Sequence, residues 1–151
     1  MATTHEFHAH LAWQGGGQGG AWGNHRLEWE GRPPVEVSAA PQYKGDPARA
    51  NPEELFLGAV ASCQLLTYLA LAPRAGVTVV AYEDRASATL ALVDRKMRIA
   101  AVTLRPRITV APGTDVAKAR QLVDAAHDGC FIANSVNCPV TAEPEVVVAG
   151  A

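Results

Sequence analysis

The chain has 151 residues, 48% hydrophobic and 19% charged, with a formal net charge of −2. That length supports one domain, 1–151, whose core folds without staples. The near-neutral charge gives no electrostatic reason to expect nucleic acid or an anionic membrane as partner. The three cysteines, Cys63, Cys130 and Cys138, are too few and too odd in number for a secreted disulfide framework. The opening MATTHEFHAH lacks the basic start and apolar run of a signal peptide. The expectation is a cytoplasmic protein with reduced thiols.

Residues 5–13 alternate, with Phe7, Ala9, Leu11 and Trp13 on one side and His8, His10 and Ala12 on the other. That pattern predicts a first strand with one solvated face. The histidines His5, His8 and His10 read as solvated. GGGQGG at 15–20 reads as a hairpin loop; it lacks the Lys-Ser/Thr and the strand-to-helix frame of a phosphate loop. Two short strands follow at 24–30 and 35–39, joined by the turn Gly31-Arg32-Pro33-Pro34. Residues 41–50 form a loop.

The stretch 51–76, NPEELFLGAVASCQLLTYLALAPRAG, is the organising element. Asn51 caps a helix, Pro52 suits its first position, and Glu54 completes a capping box. Pro73 and Gly76 end it. Leu55, Phe56, Leu57, Val60, Leu65, Leu66, Leu69 and Leu71 go all the way round, which predicts a helix buried on all sides. Its apolar run approaches the length of a membrane span. Gly58, Ser62, Gln64 and Thr67 interrupt it, so it is read as a core helix.

Beyond Gly76, residues 77–92 and a return strand ending at Val110 predict a long β pair turning at Val93-Asp94-Arg95-Lys96. Ala100, Val102, Leu104, Ile108 and Val110 share one face, and Pro106 marks an edge or bulge. Thr114 caps a second helix with the apolar face Val116, Ala119, Leu122, Val123, Ala126, ended by Gly129. CFIANSV makes a further helical turn, and TAEPEVVV a last strand. No βαβ alternation is visible. The fold class is α+β, with mostly antiparallel β-sheets wrapped around a long central helix.

Two thiols are candidates for chemistry. Cys63 lies about three turns into the first helix, too deep for the helix dipole to activate it. Buried there, it is an inert core residue unless a cation or acid–base partner reaches it. Cys130 begins a new segment after Gly129, near a helix N-terminus that would favour its thiolate. His127, Cys130 and Cys138 lack zinc-site spacing, so no metal and no cofactor is expected. Glu53 and Glu54 read first as first-turn acids that stabilise the dipole and the cap.

NPEEL followed by AVASC resembles the OsmC/Ohr family (osmotically inducible protein C-like, organic hydroperoxide resistance), whose members carry NPE(E/Q)L and a Cys in the central helix. AHDGC resembles that family's second cysteine segment. The similarity covers essentially the whole chain, although CFIANSV replaces the CPxS form usual after the second cysteine and Cys138 has no counterpart. It points to a less characterised branch. The resemblance implies an intertwined homodimer that reduces small-molecule organic hydroperoxides in oxidative stress defence. Cys63 would be the peroxidatic thiolate and Cys130 the resolving thiol, with a dithiol reductant closing the cycle. Glu53 would hold a catalytic cation by a charge-assisted hydrogen bond. The family's arginine has no direct match here; Arg26, Lys44 and Arg49 are the candidates. The alternative is a dimer of this fold that binds a small hydrophobic molecule at its interface without turnover.

Overall fold

The structure is a computed structural model describing residues 3–15 and 23–151. Of the glycine-rich loop expected at 15–20, only Gly15 falls within them. The chain forms two compact units, Met1–Leu55 and Phe56–Ala151.

In the first unit, β1 (His10–Ala12), β2 (His25–Glu28) and β3 (Val35–Val37) form an antiparallel meander, with Leu11 opposite Leu27 and Leu27 opposite Val35. The first strand is shorter than the alternation over 5–13 predicts, because only His10, Leu11 and Ala12 meet a partner in β2. Residues 38–50 then fold back on β3. The buried Ser38 hydroxyl donates to Asn24 Oδ1 at 2.7 Å and accepts the Asp46 N–H at 3.0 Å. A 3₁₀ turn over Pro41–Tyr43 ends at Lys44 in the left-handed region. The next residue must be glycine: a Cβ on Gly45 would lie 1.5 Å from the Ala39 carbonyl oxygen.

The helix α1 (Pro52–Leu71) starts as its sequence predicts. The Glu54 N–H donates to Asn51 Oδ1 at 2.9 Å, and Glu54 Oε2 accepts the Asn51 N–H at 3.2 Å. This reciprocal pair satisfies two donors that the first turn leaves orphaned. Gly76, at φ 69°, ends the turns that follow.

The second unit is built on a β hairpin that bends. β4 (Val79–Asp84) and β5 (Ser87–Val93) replace the single strand expected over 77–92, and β6 (Lys96–Leu104) and β7 (Pro106–Val110) replace its return. The turn between them is as read, with Asp94 and Arg95 both at positive φ. The final segment also divides, into β8 (Val140–Ala142) and β9 (Glu145–Val148). The two sheets are ordered β4-β7-β9 and β5-β6-β8. All three breaks fall together, at residues 85–86, at Arg105 and at residues 143–144. Asp84 Oδ1 accepts the Arg105 N–H there at 2.7 Å. Pro106 is thus the point where the return strand changes sheets.

The helix α2 (Val116–Gly129) connects β7 to the last segment. Its cap is Asp115 rather than Thr114, with Asp115 Oδ1 accepting the Lys118 N–H at 3.1 Å. β7 pairs with β9 in parallel, as does β6 with β8. A β-α-β crossover is therefore present, although the sequence pattern shows none; the break at Pro144 and the intervening β8 hide it. Among the described residues the fold is α+β, with two α-helices, one antiparallel sheet and two mixed sheets.

α1 runs along both mixed sheets. Val60 packs with Val102 and Leu104, and Tyr68 packs with Ile108, Val110, Ala119, Val123 and Ala126. Between them Gln64 donates to the Val123 carbonyl at 3.0 Å, and the Tyr68 hydroxyl donates to the Ala119 carbonyl at 2.9 Å. This Val60–Gln64–Tyr68 edge is the fully buried part of α1. Contrary to the all-round burial that its composition predicts, Leu66 is 63% and Leu69 42% exposed. By length and composition alone, α1 would suffice to cross a bilayer.

The Gly45 contact has a direct consequence. Gly45→Ala is expected to cost about 2 kcal/mol or more, because the added methyl must displace backbone rather than a side chain. Urea unfolding should show a lower midpoint at unchanged slope.

Candidate functional site

The middle of α1 and the end of α2 meet closely: a Cβ on Gly129 would lie 3.3 Å from Thr67 Cγ2. One turn before Thr67, Cys63 is half-buried. Cys130 is wholly buried, with 0% exposure. The structure places these two side chains near enough that each affects the ionisation of the other. All three cysteines are free thiols.

Their electrostatics differ in sign. Burial opposes ionisation of Cys63, but the Ile132 N–H, the Cys130 thiol, the Phe131 N–H and the Thr67 hydroxyl outweigh it, and its pKa falls below the ordinary thiol value. The Thr67 hydroxyl also donates to the Cys63 carbonyl at 2.8 Å, so its single proton serves either the carbonyl or the sulfur. For Cys130, burial dominates and pushes the pKa up. The Ala133 N–H opposes this, and the neighbouring Cys63 adds to it. The accessible thiol is therefore the more acidic one, and the enclosed thiol keeps its proton.

Cys130 does not open a helix. It is the C-cap of α2, with φ −73° and ψ 114°, and its N–H donates to the His127 carbonyl at 3.1 Å. At that end the helix dipole disfavours a thiolate. The next helical turn, Ala133–Ser135, begins too late to include it.

The groups that lower the Cys63 pKa are all uncharged. Of the other predicted residues, Glu53 stands half-buried in the first turn of α1, within the first unit. The candidate cations Arg26, Lys44 and Arg49 belong to that unit too. Arg26 Nε donates to Glu36 Oε1 at 2.8 Å and Arg49 Nη1 to Glu36 Oε2 at 2.6 Å, so one carboxylate holds both guanidiniums. Cys138 is half-buried and packs against the Val60, Val102 and Leu104 cluster, as a small hydrophobe does. Among the described residues, no three of His, Cys, Asp and Glu gather into a group that could hold a metal ion. Sequence reasoning missed Thr67 and the N–H groups of Phe131 and Ile132. The one available signal was the departure of CFIANSV from CPxS.

A family model described as OsmC-like protein matches residues 45–145, and the chain belongs to that family. An OsmC-like protein of unknown function from Vibrio cholerae O1 biovar eltor is 26% identical. The match covers 94% of this chain and 100% of that one, at a TM-score of 0.86. The organic hydroperoxide resistance protein OsmC from Legionella pneumophila shares the fold at 20% identity, covering 95% and 99%, with a TM-score of 0.71. So does an organic hydroperoxide resistance protein from Elizabethkingia anophelis, at 21%, covering 97% and 99%, with a TM-score of 0.72. No curated protein sequence matches the chain significantly.

The opposed pKa shifts fix an order of reactivity. Between the lowered value of Cys63 and the ordinary thiol range, Cys63 is largely thiolate while Cys130 remains protonated. Iodoacetamide labelling near pH 8, read by peptide mass spectrometry, should modify Cys63 first, by about tenfold or more per unit of pKa separation.

Proposed function

We propose that the chain is a thiol peroxidase of the cytoplasm that reduces organic hydroperoxides in oxidative stress defence, with Cys63 as attacking thiolate and Cys130 as resolving thiol. One observation carries this reading: an accessible cysteine of lowered pKa beside a buried cysteine of raised pKa. Family membership, and the hydroperoxide resistance proteins among its structural neighbours, support it.

The Cys63 thiolate attacks the terminal peroxide oxygen. The S–O bond forms as the O–O bond breaks, and the electron pair leaves with the alkoxide. Cys130 supplies the proton that releases the alkoxide as alcohol, and so becomes a thiolate itself. It then attacks the Cys63 sulfenic acid; the S–S bond forms, and hydroxide leaves and is protonated to water. A dithiol reductant restores both thiols by exchange and is oxidised to its own disulfide. Glu53 is assigned to orient a cation at the substrate, with Arg26, Lys44 and Arg49 as candidates.

The proposal includes a homodimer. Gly58, Ala59, Ser62, Leu66, Leu69 and Ala70 form an exposed stripe of small and apolar residues along α1. Their three- and four-residue spacing places them on one helical face. A second copy of the chain would cover this face, and the apolar lining of α1 favours alkyl substrates over hydrogen peroxide. A glutamate in place of Leu66 would bury a charge in that contact. Leu66→Glu is therefore expected to weaken the dimer by about tenfold or more, seen as a shift to monomer in light scattering across a dilution series.

Cumene hydroperoxide with dithiothreitol as reductant tests the chemistry. Cys63→Ser should lose turnover by about a thousandfold or more. With dithiothreitol left out, Cys130→Ser should consume one equivalent of peroxide and then hold Cys63 as its sulfenic acid, whereas the wild type forms a disulfide. If the wild-type protein shows no turnover and its thiols stay free, the peroxidase reading fails and a non-catalytic dimer binding a small hydrophobic molecule takes its place.

A further inference from the structure

Among the described residues, four buried side-chain atoms have no hydrogen-bond partner in the protein: Gln64 Oε1, Tyr82 Oη, Asp84 Oδ2 and Arg98 Nε. Arg98 lies near the β5–β6 turn; the other three belong to one place. The core of the second unit divides into two clusters. One gathers Tyr68 with Val77, Val79 and Tyr82, the other Val60 with Ala86 and Ala88. The later part of α1 thus packs on β4 and its earlier part on the start of β5, so β4 runs back along the helix. Gln64 stands one turn before Tyr68 and one turn after Val60, on the same buried edge. Asp84 stands two residues beyond Tyr82 and two before Ala86, on the inner face of the strand. One helical turn advances about 6 Å and two strand residues about 7 Å. The Tyr68 and Tyr82 rings are in contact, with centroids 5.9 Å apart. Counting from that contact, Gln64 and Asp84 reach the same level, in the seam between the clusters. Burial, and after it the charge of Asp84, push the Tyr82 pKa far up, so the hydroxyl lies within the field of that carboxylate.

The roles of the three atoms are set by their other bonds. Gln64 Nε2 donates to the Val123 carbonyl at 3.0 Å, so the free end of that amide is an acceptor. Asp84 Oδ1 accepts the Arg105 N–H at 2.7 Å, which leaves Oδ2 as a second acceptor. The Tyr82 hydroxyl is a donor, and it bonds neither of them. One donor and two acceptors, buried together and not joined directly, match a single water molecule, which accepts one hydrogen and donates two. We infer that the seam holds one internal water, which accepts from the Tyr82 hydroxyl and donates to Gln64 Oε1 and Asp84 Oδ2. A monovalent cation matches the set less well, because it would take three oxygens and leave the Tyr82 hydrogen without an acceptor. The inference does not depend on the peroxidase reading. It explains how α1 is tied to the sheets at the level where their strands break, just beyond Asp84 and at Arg105. Gln64 is then bonded on two sides, to α2 directly and to β4 through the water, one residue after Cys63.

Two measurements test this. The first reads a sign. Tyr82→Phe removes the hydroxyl and little else. Where that hydroxyl donates to a water, its loss leaves the water short of a donor, and the folding equilibrium constant from urea unfolding should fall about fivefold. A hydroxyl buried with no partner at all is a cost, so its removal would leave the constant unchanged or raise it. Either of those results overturns the inference. The second measurement uses the unaltered protein, crystallised from rubidium chloride. One peak of water density within about 2.7–3.2 Å of Tyr82 Oη, Gln64 Oε1 and Asp84 Oδ2 is the expected result. An anomalous rubidium peak at that point overturns the water in favour of a cation. Direct hydrogen bonds among the three side chains, or a seam without density, overturn it as well. A protein that keeps this water but shows no cumene hydroperoxide turnover loses the proposed function alone.

Discussion

The close approach of α1 and α2 at Thr67 and Gly129 is the constraint on which the rest depends. A Cβ at position 129 would lie only 3.3 Å from the Thr67 methyl, so a glycine there lets the end of α2, and the turn beginning at Cys130, lie close against α1. That turn supplies what α1 cannot. A thiol three turns into a helix gains nothing from the helix dipole, and burial alone would silence it. Donors from another element reverse the outcome, and the sign of the Cys63 shift records which effect wins. The enclosure that makes Cys130 a reluctant acid also keeps it beside its partner.

The approach is held by polar anchors inside an apolar core. Gln64 and Tyr68 tie α1 to carbonyls of α2 at Val123 and Ala119. Hydrophobic contact is nearly indifferent to small slides of one helix along another, whereas a hydrogen bond at 3.0 Å is not. The residues on α1 that set the position of Cys63 are therefore Gln64 and Tyr68, more than the leucines that dominate its composition.

The elements that rest on local rules were legible in the sequence. The Asn51–Glu54 capping box, the Gly76 stop, the turn at Asp94-Arg95 and the alternation through Val102, Leu104, Ile108 and Val110 follow from residue chemistry and period alone. What was not legible depends on partners distant in sequence. The strand at 77–92 looks continuous because alternation passes unbroken through Arg85 and Ala86; only the pairing of its halves to β7 and β6 reveals two sheets. The parallel crossover through α2 was hidden for the same reason. α1 reads as wholly enclosed because composition reports how apolar a surface is, not how much of it the rest of the chain covers. At the site, family likeness named Cys63 and Cys130 together, and the structure sets them near enough for each to affect the ionisation of the other. The donors at Phe131 and Ile132 are backbone groups, which every residue but proline carries, so no side-chain pattern marks them.

The parallel pairing of β9 with β7 bears on the order in which the protein folds. The hairpin from β4 to β7 closes around a tight turn at Asp94-Arg95 and joins residues near in sequence, so its loop-closure cost is low. β9 reaches β7 only after α2 and β8 have been laid down, and contacts of such separation form slowly. Cys130 travels with that late segment and reaches Cys63 from sixty-seven residues away. The two thiols therefore meet only once the sheets have closed, and while the chain is incomplete Cys63 stays an ordinary, weakly reactive thiol.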